Sequence, residues 1–255
     1  ISILITNYNK EKFLKKSIES CLRQNFKNKE IIIFDDCSND KSLKILKKFS
    51  KIKLIKNKKK KYKSPGLNQI YGIKKTLRIA KGEIICLLDA DDYFIPSKME
   101  TINNFFKKNK KYNCVYNFPF AKINKFKFKN KNINQIWPTI FPTSCISIRK
   151  NLLIKYFKFL KPKYFPNLEI DARLIIFMKY YFNEYNIINK KLTIYNEDQF
   201  GITAGVVKYS RKWWFRRYEA FEYLQYVLGL KKKKLSISLD RIITFGVYNF
   251  FKILL

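Results

Sequence analysis

The chain has 255 residues, 47% of them apolar, so it can bury a full core and is not a disordered segment. It carries 54 basic and 19 acidic residues, a net charge of +35, and no histidine. The lack of histidine excludes His-based triads, His metal sites and His general bases, and leaves acid–base chemistry to carboxylates, Tyr, Lys or Cys. Five cysteines lie far apart with no C-x-x-C among them, which points to reduced, buried thiols rather than a zinc site. The lysines are spread along the whole chain, and Lys, Asn, Ile, Phe and Tyr abound where Gly, Pro and Ala are scarce. That pattern is the mark of AT-rich coding, with attraction to an anionic membrane surface as its physical consequence. The chain opens at Ile1 rather than Met and enters a strand-like run at once, so it reads as truncated at its start.

Residues 1–5 predict a buried strand, with Thr6-Asn7-Tyr8-Asn9 as a polar loop at its end. Asn9 is placed to cap a helix with Phe13, Leu14, Ile18, Cys21 and Leu22 on one face. Residues 30–34 predict a second buried strand, ending in Asp35-Asp36-Cys37-Ser38. Ser38, Asn39 or Asp40 caps a helix that turns Leu43, Leu46 and Phe49 inward. A short strand over 52–55, a lysine-rich loop over 58–66 and a helix over 68–80 follow.

The run Ile84-Ile85-Cys86-Leu87-Leu88 then leads straight into Asp89-Ala90-Asp91-Asp92. Apolar side chains on both faces suit a strand inside a parallel sheet. Carboxylates cannot follow it into the core without a large desolvation cost, so they emerge at its C-terminal end, where open α/β sheets bind ligands. Asp89 and Asp91 leave the chain on related sides. Clustered like charges of this kind call for a cation, and oxygen ligands suit Mg²⁺ or Mn²⁺ shared with phosphates. Asp92, ahead of Pro96-Ser97, reads as a solvated turn leading into the next helix.

Further on, residues 113–118 predict a strand, 120–128 a half-exposed ribbon, 137–142 a proline-rich turn and 143–149 another strand. The stretch 168–177 predicts a helix with Glu169 and Asp171 in its first turn, where the helix dipole favours an anion. Residues 185–195 predict a last strand, and 196–205 a loop able to close over a ligand. Arg211-Lys212-Trp213-Trp214-Phe215-Arg216-Arg217 fits either a phosphate or sugar contact or a plain amphipathic helix. Residues 242–255 are too short and too polar to span a membrane, and suit a docked or surface-lying helix.

The repeated β-α order predicts a doubly wound, mostly parallel sheet with right-handed crossovers. No G-x-G-x-x-G follows the first strand and no P-loop occurs, which argues against a dinucleotide or P-loop site.

Three pieces in this order and spacing resemble the inverting glycosyltransferases of family 2, which have the GT-A fold. They are Ile3 through Asn9, Ile32 through Asp40, and Ala80 through Asp92. The resemblance implies a catalytic unit over 1–205, with a nucleotide-sugar half over 1–120 and an acceptor half over 121–205. A helical extension would occupy 206–255. It implies that Thr6 and Tyr8 line the base pocket and that Asp36 accepts from a uracil N–H. It further implies that Asp89 holds the ribose or orients the metal, and that Asp91 ligates Mn²⁺ or Mg²⁺ at the donor diphosphate. The family's base opens a helix in an acidic pair, a position matched by Asp171, with Glu169 in reserve. The Arg-Asn pair of many relatives is replaced here by Ile73-Lys74-Lys75, with Asn68 upstream.

The implied partners are a nucleotide-sugar donor, UDP-linked, and a glycan or lipid-linked acceptor in polysaccharide or glycoconjugate synthesis. The implied setting is the cytoplasm, with peripheral contact on the inner face of an anionic membrane. The charge alone would also suit a nucleic-acid-binding protein, but no such motif appears and strand-end carboxylates repel phosphates. A nucleotidyltransferase would need a Gly-rich loop after the first strand, and Thr6 to Asn9 contains no Gly.

Overall fold

The computed structural model describes residues 1–121, 137–161, 164–196, 201–202 and 206–254. Eight strands form one mixed sheet in the order β3-β2-β1-β4-β7-β6-β8-β5. They are β1 (Ser2–Asn7), β2 (Glu30–Asp35), β3 (Lys53–Lys56), β4 (Ile84–Asp89), β5 (Tyr93–Phe94), β6 (Cys114–Ala121), β7 (Ile146–Arg149) and β8 (Tyr185–Tyr195). The first four strands are parallel, as their apolar runs predict. The second half departs from the parallel expectation. Strand β7 runs antiparallel to both β4 and β6, β5 runs antiparallel to β8, and only the β6–β8 pair is parallel.

The period of two along each strand divides the core into two layers. Leu4, Ile32, Ile85 and Leu87 face one side, and Ile3, Ile5, Ile31, Ile33, Ile84, Cys86 and Leu88 face the other. On the first side lie α3 (Pro65–Ile79), α5 (Lys150–Phe159), α6 (Ile170–Phe177) and α7 (Arg211–Gly229). The second side is covered by α1 (Glu11–Leu22), α2 (Ser42–Leu46) and α4 (Lys98–Lys108). Helix α8 (Leu239–Ile253) packs on α7. No described helix is long and apolar enough to cross a membrane. The predicted ribbon over 120–128 and the loop over 196–205 fall largely outside the described residues.

One capping expectation is corrected. Asn9 does not cap α1; it adopts a left-handed φ of 51°, and Lys10 takes the cap position. The α1 terminus is satisfied from the next loop, where Asp40 Oδ2 accepts from the Glu11 N–H at 2.9 Å. Glu11 Oε2 in turn accepts from the Lys41 N–H at 2.6 Å. Asp40 Oδ1 also accepts from the Ser42 N–H at 2.9 Å, so it serves the starts of two helices. Asp40 was one of three candidates for α2 only. The helix itself is one turn and a half, and Phe49 packs beyond its end.

The N-terminal edge of the sheet is fastened by Glu30. Its Oε1 accepts from Ser2 Oγ, the Lys81 N–H and the Gly82 N–H, and its Oε2 pairs with Lys53 Nζ at 2.7 Å. Burial opposes the charge, but Lys53, Ser2 and the two backbone donors pull its pKa down to about 2. This support is present above the unfolded-state value of about 4.3 and is lost as pH falls through about 2. Gly82 sits so close that an added Cβ would lie 2.5 Å from the Ser2 backbone nitrogen. Gly82→Ala is therefore expected to destabilise the fold by about 2–3 kcal/mol in urea titration, since the obstacle is backbone rather than a side chain that can swing away.

Candidate active site

The parallel register sets the C-terminal ends of β1, β2 and β4 side by side. Asn7 lies opposite Asp35, and Thr6 lies opposite both Phe34 and Asp89. Asn7 Nδ2 donates to Asp35 Oδ1 at 2.8 Å and to Ser38 Oγ at 3.1 Å. The Ser38 N–H returns to Asp35 Oδ2 at 3.1 Å. This buried network locks the β1 loop to the β2 loop, so Asp35 is a structural carboxylate. Its neighbour Asp36 turns the other way, where Oδ1 accepts from Asn57 Nδ2 at 2.7 Å. Cys37 beside it adopts a left-handed φ of 60°. Tyr8 is 41% exposed, with Lys60 Nζ 3.3 Å from its ring centroid. Tyr8 thus lies under the lysine loop.

The acidic turn after β4 divides into three environments. Asp89 is half-buried; its Oδ1 accepts from Gln69 Nε2 at 2.6 Å and from Thr6 Oγ1 at 3.5 Å. Burial, with Asp91 and Asp171 adding like charge, pushes its carboxyl up to about 7. Asp91 pairs with Lys10 Nζ at 2.8 Å. Asp92 is fully buried, which corrects its reading as a solvated turn. Its Oδ2 accepts from Ser144 Oγ at 2.5 Å and its Oδ1 from the Asn196 N–H at 2.8 Å. Ser144 Oγ also accepts from the Asp89 N–H at 3.0 Å, and Asn196 Nδ2 donates to the Asp91 carbonyl at 2.5 Å. The turn is thus held from two sides.

Lys98, on α4, supports this turn from below. It has no exposed surface, and its Nζ donates to the Ser144 carbonyl at 2.6 Å and to Thr193 Oγ1 at 2.8 Å. Burial lowers its pKa to about 8, against the opposing pull of buried thiols and Asp92. Lys98→Met removes one donor from each of those buried acceptors, which keep Thr193 Oγ1 and Asn117 Nδ2 respectively, and removes the cation facing Asp92. A loss of about 2–4 kcal/mol is expected in thermal or urea unfolding, larger than for any surface lysine.

Asp171 reaches the same place from the opposite half of the sheet. It stands in the first turn of α6, and its Oδ1 accepts from the Ala172 N–H at 2.7 Å. Burial, then the like charge of Glu169, pushes its carboxyl up to about 7, opposed in part by the Ala172 N–H and by Arg216. Arg216 comes from α7 and binds Glu169 Oε2 at 2.5 Å, while its Nε has no partner among the described residues. Arg173 is fully buried and pins the preceding loop through the carbonyls of Tyr164, Phe165 and Leu168. That loop sets the direction in which α6 starts. Tyr195, on β8, feels Asp92, Asp89, Asp171 and Asp91 together, and its hydroxyl is held well above its usual pKa by burial and these charges. Asp89 at the end of β4 and Asp171 at the start of α6 therefore come within electrostatic reach of each other.

Comparison with known proteins follows the same lines. The family model described as glycosyl transferase family 2 matches residues 2–185. The chain belongs to this family. A putative glycosyltransferase of Bacillus subtilis, EpsE, is 37% identical over 120 residues, 45% of this chain and 41% of the relative. WfaP of Escherichia coli, a UDP-Glc:alpha-D-GlcNAc-diphosphoundecaprenol beta-1,3-glucosyltransferase, is 36% identical over 124 residues, 48% of this chain and 47% of the relative. The match spans less than half the length of these relatives. At the level of fold, S. aureus TarS 1-349 in complex with UDP superposes on 97% of this chain and 69% of its own, with a TM-score of 0.62 at 16% identity. A mannosyltransferase from Pyrobaculum calidifontis, solved with GDP-Man and Mn²⁺, gives a TM-score of 0.56 at 15% identity over 97% of this chain and 68% of its own. This member of family 2 thus has the GT-A architecture.

No group of three or more His, Cys, Asp or Glu able to hold a metal is formed among its described residues. The half-buried Asp89 and Asp91 nonetheless fit a hard divalent cation. Such an ion binds through one or two carboxylate oxygens and takes its remaining ligands from substrate phosphates and water. Burial lifts Asp89 most, and the like charge of Asp91 that adds to it is the kind of imbalance a cation relieves.

Several residues around these carboxylates escaped the sequence reading. Gln69, rather than Asn68, reaches Asp89; Asn68 is spent on the Tyr62 backbone. Its place on the helix ahead of the acidic strand was the available signal. Lys10, Ser144, Lys98, Tyr195 and Asn196 carried none, because each meets its partner only through contacts between segments remote in sequence.

Proposed function

We propose that this family 2 glycosyltransferase transfers a sugar from a nucleotide-sugar donor, UDP-linked, to a hydroxyl of a glycan or lipid-linked acceptor with inversion. The observation that carries the reading is the gathering of Asp89, Asp91 and Asp171 within electrostatic reach of one another, with Asp171 lifted towards neutral pH.

Asp36, with Tyr8 beside it and Thr6 next in line, would receive the base, the carboxylate accepting a ring N–H. Asp89 would take the ribose or orient the metal. Asp91, with Asp89 near, would hold Mn²⁺ or Mg²⁺, which supplies electrostatic stabilisation of charge on a departing diphosphate. Lys10, now on Asp91 at 2.8 Å, is positioned to share that charge. Asp171 accepts the proton of the acceptor hydroxyl. The oxygen then bonds to the anomeric carbon from the face opposite the diphosphate, whose bond to that carbon breaks. A pKa near 7 suits a base that must be ionised yet basic at neutral pH. Glu169 and Arg216 set the charge beside it.

Two relatives support the acceptor class by their names. WfaP acts on a diphosphoundecaprenol-linked sugar, and a Methanococcus voltae relative, 31% identical over 123 residues, acts on a dolichyl phosphate-linked one. An acceptor of that kind would place the reaction at a membrane face, with the enzyme peripheral to it.

The deciding experiment is release of nucleoside diphosphate from UDP-, GDP-, dTDP- and CMP-sugars, with Mn²⁺ or with EDTA, and with an undecaprenyl-linked sugar as acceptor. Release from UDP-sugars alone, abolished by EDTA, is the expected outcome. Turnover that persists in EDTA would remove the metal from the mechanism, and release of pyrophosphate would mark a nucleotidyltransferase instead.

A further inference from the structure

Helix α8 has two unlike faces. One packs on α7, where Tyr248 stacks on Tyr218 with centroids 3.7 Å apart and Phe245 meets Tyr218 and Phe221. Arg217 closes that contact by binding Asp240 and Thr244. The opposite face carries Leu239, Ile242, Ile243, Phe250, Ile253 and Leu254, all exposed to solvent. Exposure reaches 72% at Leu239, 60% at Phe250 and 84% at Ile253. The spacing of these six residues places them on a single stripe roughly 120° wide. Large apolar side chains grouped in this way call for a partner, whereas single ones do not.

The turn joining α7 to α8 holds Lys231, Lys232, Lys233 and Lys234, all exposed. Beside it lies a cleft of about 690 Å³ lined by Phe165, Tyr226, Leu235, Lys233, Lys234 and Arg241, with Glu222 also on its wall. Cations, aromatic rings and an apolar stripe thus meet at one elbow. That combination fits a surface with negative headgroups above hydrocarbon. It does not fit a second copy of the same face, which would bring two four-lysine runs together on chains of net charge +35. Helix α8 has 15 residues, enough to lie along an interface and too few to span one.

We propose that the α7–α8 elbow docks this protein on an anionic lipid bilayer. The α8 stripe enters the headgroup and upper acyl region, and Lys231 to Lys234 meet the phosphates. Helix α7 then acts as a strut. Its Arg216 binds Glu169 beside Asp171, and the next residue, Arg217, binds α8. Docking through α8 therefore holds the cleft at a fixed height over the bilayer. Only that last consequence rests on the proposed lipid-linked acceptor; the docking itself requires neither donor nor acceptor.

The test is co-sedimentation of the full chain with vesicles of phosphatidylcholine and phosphatidylglycerol, against vesicles of phosphatidylcholine alone. Binding to the anionic vesicles only, released by roughly 0.5 M NaCl, is expected. Replacing Lys231 to Lys234 by Ala should weaken partitioning roughly fivefold per lysine. Ile242→Asp with Ile253→Asp should abolish it, with the melting temperature and nucleotide binding unchanged because both side chains are exposed. Failure to bind anionic vesicles, or binding indifferent to both sets of variants, overturns the proposal. So does a wild-type dimer in light scattering that Ile242→Asp converts to monomer, since a second copy would then cover the stripe.

Discussion

Asp171→Asn is expected to lower kcat by about 10²–10⁴-fold while leaving the donor KM within a few-fold. The amide keeps the shape of the side chain and the contact from the Ala172 N–H, but it cannot take a proton from an acceptor hydroxyl. The wild-type pH profile carries the same information. With its carboxyl at about 7, Asp171 is protonated in acid, so kcat should fall about tenfold per pH unit below that value and level off above it. The groups facing it are Glu169 on its own turn, Arg216 from α7, Asp89 from β4 and Tyr195 from β8. Removing the positive neighbour by Arg216→Met should therefore move the limb to higher pH. The stability linkage has the opposite sense. A raised carboxyl favours the folded state below the unfolded value of about 3.9, and that contribution is lost as pH rises towards about 7. A profile flat from pH 5 to 8, or a kcat for Asp171→Asn within tenfold of wild type, would move the base to Glu169.

Asp91→Asn is expected to reduce turnover by about 10²-fold or more and to raise the Mn²⁺ concentration needed for half-maximal rate. Its carboxylate is the member of the acidic turn that pairs with a cation, Lys10. Loss of that charge leaves Lys10 in place with its positive charge, so some diphosphate contact should survive and the donor KM should change less than kcat. Asp92→Asn is the control within the same turn. Asp92 faces Ser144 and the Asn196 N–H in full burial, so its replacement should register in unfolding experiments, with an unchanged Mn²⁺ requirement. Equal metal responses in the two variants would show that the turn acts as a unit, and the assignment of the ligand to Asp91 would fail.

The first four strands and the helices between them were legible because a strand buried on both faces must be apolar throughout. Ile31 to Ile33 and Ile84 to Leu88 could hardly be anything else in a chain so rich in lysine. The position of the carboxylates was legible for the same reason, since charge can appear only where such a strand leaves the core. The antiparallel insertion of β7 between β4 and β6 was not legible. Residues 143–149 read as a strand whatever their direction, because hydrogen-bond polarity leaves no trace in side-chain pattern. Helix α5 went unread, although its Leu152, Leu153, Tyr156 and Phe157 form a buried face.

By itself, the sequence determined the parallel half, the family to which it belongs, and the carboxylates that stand at strand and helix ends. Local burial and local charge suffice for those. Only the tertiary structure decided which of the many cations matter. Lys10, Lys98 and Arg216 look like any other basic residue in this composition, and what singles them out is a distance of 2.5 to 2.8 Å to a group far away in the chain. It also decided that Asp92 is a buried strut and that Asp91 pairs with Lys10, although they are adjacent. The chain turns here, with the Asp92 N–H donating to the Asp89 carbonyl at 3.0 Å, and that turn sends the Asp92 side chain to Ser144 and Asn196 and the Asp91 side chain to Lys10.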